Sequence, residues 1–107
     1  MITKIENTFW ARIYLSGPIE IAKQTIREFC LSNGFCVTID PTTFIYTGGE
    51  EAGYVVGIVN YPRFPSDFDD LEIKAKTLAQ LLLETTFQHS VLVVTPLATI
   101  WYTKREQ

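Results

Sequence analysis

Two cysteines, one histidine and one methionine are the chain's whole supply of the side chains that most often hold metals or soft nucleophilic chemistry. Cys30 and Cys36 form no Cys-x-x-Cys pattern, and His89 has no second ligand at metal-site spacing. No metal and no cofactor are therefore expected, and both thiols read as reduced and packed. Basic residues are also short, 9 Lys and Arg against 12 Asp and Glu for a net charge of -3. That balance excludes nucleic acid as the default partner, because a nonspecific grip on phosphates needs clustered cations. No run approaches the roughly 18 apolar residues of a membrane span, and Met1–Asn7 lacks the apolar core of an export signal. The expectation is a cytoplasmic protein of one domain, residues 1–107, with flexible ends at 1–7 and 104–107.

What is present is patterned. Phe9–Leu15 alternates, with Ala11, Ile13 and Leu15 on one face and Trp10, Arg12 and Tyr14 on the other, so it reads as a strand. Ser16-Gly17-Pro18 then opens a helix with Ser as cap, whose buried stripe is Ile19, Ala22, Ile26, Phe29 and Cys30. Asn33-Gly34 ends it. Two strands follow, Phe35–Tyr46 and Gly53–Tyr61, joined by the turn Thr47-Gly48-Gly49-Glu50-Glu51. Pro41 predicts a bend or an edge position in the first. The nearly apolar Tyr54–Val59 suits a central strand covered on both faces.

Ser66 or Asp67 caps a second helix whose stripe is Leu71, Ala75, Leu78 and Leu82, widened by Leu81, with an end near Phe87. Val91–Val94 and Thr99–Tyr102 are two last strands. The order predicts an α+β fold: a ferredoxin-like β-α-β-β-α-β two-layer sandwich. In it an antiparallel sheet centred on the Gly34–Pro62 hairpin carries two helices on one face, plus an extra short C-terminal strand.

Candidate chemistry clusters around the turn. Glycine amides at Gly48 and Gly49 suit an anion, rings at Tyr46 and Tyr54 a planar group, and the carboxylates of Glu50 and Glu51 sugar hydroxyls or an amine, with Thr47 between them. Arg63, between Tyr61 and Phe64, suits a carboxylate or phosphate. The bland alternatives are a soluble hairpin tip and a proline-stiffened connection. His89 has no orienting partner in sequence and reads as a helix-end residue. The aromatics Trp10, Tyr14, Tyr46, Tyr54, Tyr61, Trp101 and Tyr102 exceed what one sheet face buries, so self-association through a helix-free face is expected.

Ile21-Ala22, Cys36-Val37 and Ile45-Tyr46 before a turn ending in an acidic pair resemble the PII-like and CutA group of small trimeric proteins. The likeness spans the first half of the chain. Where that group has a Trp soon after Ile-Tyr, this chain has Thr47-Gly48; where it has His-Pro-Tyr-Glu, this chain has His89-Ser90-Val91-Leu92. The resemblance implies the sandwich fold and oligomerisation. The expected function is thus a non-catalytic binding module, a dimer or trimer taking a small molecule or nucleotide at a subunit cleft. The alternative is a small protein-interaction or inhibitor protein of the phage accessory kind, and an enzyme using His89 or Glu50 ranks behind both.

Overall fold

In the computed structural model, which describes residues 1–105, the elements are β1 (Trp10–Ser16), α1 (Ile19–Asn33), β2 (Thr38–Tyr46), β3 (Gly49–Val59), α2 (Phe68–Thr85), β4 (Ser90–Val94) and β5 (Thr99–Thr103). All pairings are antiparallel, in the order β2-β3-β1-β4-β5. This is the expected sandwich, with β5 on the free edge of β4. The expected flexibility of 104–107 falls partly on residues 106 and 107, which lie outside the described residues.

The core forms where the period-two strands meet the helical stripes. Ala11, Ile13 and Leu15 of β1, Val56 and Ile58 of β3, and Val91 and Val93 of β4 face Leu71, Ala75, Leu78 and Leu82 of α2 and Ala22, Ile26 and Phe29 of α1. β1, not the hairpin, is the middle strand, since its alternation lets it pair on both edges. Pro41 lies on the edge strand β2, where its missing N–H leaves no ladder bond unmade.

Several local expectations change. α1 begins after Pro18 without a side-chain cap, and Ser16 instead donates to Gln88 Oε1 at 3.2 Å. Gly34 does close the helix in the left-handed conformation. Asp67 caps α2 by accepting from the Asp70 N–H at 2.7 Å, and Phe87, at φ 56°, takes the left-handed position just past its end. Leu81 is exposed; Ala79 and Leu83 widen the buried stripe instead. Residues 35–37 precede β2 rather than open it, and Cys36 is exposed rather than packed. Cys30 is half-buried, and burial first, then the neighbouring Cys36, raises its thiol pKa.

The hairpin turn is only Thr47-Gly48. Gly48 supplies the positive φ of 88°, and Gly49, Glu50 and Glu51 are strand residues opposite Tyr46, Ile45 and Phe44. That register puts Tyr54 on the helix side, fully buried, where its hydroxyl completes no hydrogen bond. The neighbouring Thr86 hydroxyl donates instead to the Leu82 carbonyl at 2.6 Å. Burial pushes the Tyr54 pKa up to about 12 against a smaller opposing pull from Thr86.

Candidate functional site

Among the described residues the second face of the sheet carries no helix. Its residues fall into cross-strand rows: Arg12, Gly57 and Thr38; then Tyr14, Val55 and Asp40; then Ser16, Gly53 and Thr42; then Glu51 and Phe44. β3 was expected to be covered on both faces. Its outer side chains are open instead, and Val59 is 56% exposed.

β1 stops at Ser16 while the β2–β3 arm continues to its turn, so the sheet opens there into a notch. One wall is the arm, with Phe44 and Glu51; the other is the α2–β4 connection, with Gln88 and His89; Trp101 and Arg105 stand on the β5 side. Tyr14 and Leu92 form the floor where the notch meets the sheet, and the cleft measures about 440 Å³.

Each wall is held locally. The Phe44 ring lies across Gly53, where a Cβ would strike both the ring and the Leu15 carbonyl, so glycine is required for this close approach. Gln88 reaches over Gly17, whose absent side chain leaves room for its amide, and accepts from Ser16 Oγ. The Lys104 N–H donates to the His89 carbonyl at 2.8 Å, and Ser90 Oγ donates to Thr103 Oγ1 at 2.9 Å, which ties the C-terminal segment to this wall.

Three aromatic rings, Tyr14, Phe44 and Trp101, thus share a cleft with one carboxylate, one imidazole and one guanidinium. Such a lining can stack a planar base and hydrogen-bond a sugar. Among the described residues no cluster of His, Cys, Asp and Glu could hold a metal ion.

Of the ligand-binding residues expected from sequence only Glu51 lines this cleft, and His89, weighed as an acid or base, lines it too. Glu50 alternates to the other face with Ile45. Tyr46 is at the arm's tip, its ring packed close over Gly49, and Thr47 and Gly48 form the turn itself. Tyr54, in the core, cannot pair with Tyr46 over a ligand. Tyr61 and Phe64 stack with ring centres 5.9 Å apart, and the Arg63 guanidinium lies 5.5 Å from the Phe64 ring centre, in the β3–α2 connection away from the notch. Phe44, Gln88 and Arg105 gave no signal in sequence; Tyr14 and Trp101 gave only that of surplus aromatics.

No family model and no curated protein matches this chain. Two solved structures do, from end to end. One is a phage SAM lyase in complex with S-methyl-5'-thioadenosine, with a TM-score of 0.75 and 18% identity over 99% of this chain and 98% of that one. The other is a phage SAM lyase in the apo state, with a TM-score of 0.71 and 18% identity over 100% and 98%. The shared feature is the fold. These matches correct the expectation of a non-catalytic module or inhibitor, because the proteins that share the architecture throughout are an enzyme. They also lend no support to the likeness to the PII-like and CutA group.

Proposed function

We propose that this protein is an enzyme acting on an S-adenosyl sulfonium, releasing a 5'-thioadenosine from it. The observation that carries the reading is the aromatic notch with its single carboxylate, in a fold whose solved neighbour holds S-methyl-5'-thioadenosine. In this reading the purine stacks among Phe44, Trp101 and Tyr14, and Glu51 accepts from the ribose hydroxyls. The sulfonium then lies over Tyr14, whose ring face attracts a cation.

A lyase adds no water. The electron pair of the bond between sulfur and the γ-carbon leaves with sulfur, which becomes the neutral thioether of S-methyl-5'-thioadenosine. The γ-carbon regains its fourth bond from the chain's own carboxylate oxygen, closing a five-membered ring, and no proton changes hands. Such a step asks the protein mainly to hold the chain folded, which is the proximity effect. It fits a cleft whose lining offers three rings to hold the substrate. Chromatography of a reaction with SAM tests it: S-methyl-5'-thioadenosine must accumulate faster than in a protein-free control.

Self-association through the open face belongs to the same reading. Trp101, 50% exposed, and Val59 rim the clefts, and a second copy laid on them would roof the bound substrate. Light scattering should give two or three times 12.2 kDa; a monomer at high concentration would remove this part. Among the described residues no helix is long and apolar enough to cross a membrane, and the free cysteines suit the reducing cytoplasm.

A further inference from the structure

Gln88 lines the notch with its amide held at both ends. Ser16 Oγ donates to its Oε1 at 3.2 Å, and its Nε2 donates to the Thr86 carbonyl in a longer contact of 3.4 Å, so the two partners agree on which end is oxygen and which is nitrogen. Gly17, at φ 111°, leaves the space that the amide occupies, since a Cβ there would lie 2.7 Å from Nε2. Resting on the function proposed above, we propose that the Gln88 amide donates its second N–H to one oxygen of the substrate's α-carboxylate and so holds the head group folded back for ring closure.

The main chain is fixed along with the side chain. Phe87, at φ 56°, turns the chain out of α2 into this wall, and the Gln88 N–H donates to the Leu83 carbonyl at 3.2 Å and closes the turn. The amide is therefore in place before a substrate arrives, which is the condition for an effective positioning contact. The other polar side chains on this side of the cleft are not held in that way. Among the described residues neither the His89 ring nor the Arg105 guanidinium makes a hydrogen bond or an ion pair.

Ring closure calls for a donor of this kind. One carboxylate oxygen bonds to the γ-carbon as the carbon–sulfur pair leaves with sulfur, and no proton moves. A guanidinium gripping both oxygens would offset the charge that drives the attack. A neutral amide takes one oxygen and leaves the other nucleophilic. The spacing fits as well. With the sulfonium over Tyr14, Ser16 lies two residues on along the same face of β1, about 7 Å away, and Gln88 is bonded to Ser16. That span accommodates a carboxylate oxygen about 3–3.5 Å from the carbon it attacks and a hydrogen bond of about 2.9 Å from the amide to the other oxygen.

Two readouts isolate this contact: the rate at which SAM releases S-methyl-5'-thioadenosine, and calorimetric binding of S-methyl-5'-thioadenosine itself, which lacks the carboxylate. Gln88→Met keeps the length and removes the donor. It should lower kcat by about tenfold or more, the scale of one hydrogen bond to a charged group, and leave the affinity for S-methyl-5'-thioadenosine unchanged. Gln88→Glu sets a second carboxylate against the first and should be slower still at neutral pH. Ser16→Ala, which frees the amide to turn over, should cost less than either. Melting temperatures report folding, and should one Gln88 variant fail to fold, the other decides. A Gln88 variant with the kcat of the unaltered protein, or one that loses product affinity as much as rate, would overturn the assignment while leaving the nucleoside notch standing. If the unaltered protein releases no S-methyl-5'-thioadenosine from SAM, the proposed function falls and this assignment with it.

Discussion

Leu78→Ala is expected to lower the unfolding free energy by about 2–4 kcal/mol, the usual cost of emptying a fully buried leucine site. Leu78 has no exposed surface and lies mid-helix in α2, facing the central strands, where few side chains can collapse into the space. Two neighbours serve as contrasts. Lys76→Ala removes a partly buried i,i+4 pair with Glu72 at 3.1 Å, off the apolar stripe, and should cost under about 1 kcal/mol. Tyr54→Phe removes a buried hydroxyl without a partner and should raise stability, by up to about 1 kcal/mol, because its desolvation is uncompensated. Urea titrations that rank the three in another order would show that the core is packed differently.

Glu51→Gln should weaken binding of S-methyl-5'-thioadenosine by about 10- to 100-fold, since a carboxylate accepting from sugar hydroxyls makes hydrogen bonds worth roughly 1.5–3 kcal/mol. The fold should hardly notice, because Glu51 is exposed and takes part in no ion pair among the described residues. Glu50→Gln is the internal control. It sits one residue away on the opposite face of β3, so its affinity should match that of the unaltered protein. Equal losses for both variants would mean that the charge of the arm, rather than a contact in the notch, attracts the ligand.

Much of the architecture was legible because periodicity reports it directly. The alternation of Phe9–Leu15 marks β1 and its open face, and the three-and-four spacing of Leu71, Ala75, Leu78 and Leu82 marks the buried side of α2. Register was not legible. The run Thr47–Glu51 is polar throughout, and nothing in composition separates a five-residue loop from a two-residue turn followed by strand. Once Tyr46 pairs with Gly49, parity sends Tyr54 inward and splits Glu50 from Glu51, so one unreadable turn length undid the pairing of Tyr46 with Tyr54. The notch was hidden for a related reason. Tyr14, Phe44, Glu51, His89 and Trp101 come from five separate segments, and only the strand order brings them together.

The central claim, that the notch serves cleavage of an S-adenosyl sulfonium, is tested most directly by incubating the purified protein with SAM and following SAM and S-methyl-5'-thioadenosine by chromatography. The account predicts that the two change in a one-to-one ratio, at a rate proportional to protein concentration and well above the protein-free rate, and that Trp101→Ala slows the reaction strongly. A rate of S-methyl-5'-thioadenosine formation equal to the protein-free control, from protein shown to be folded, would contradict it.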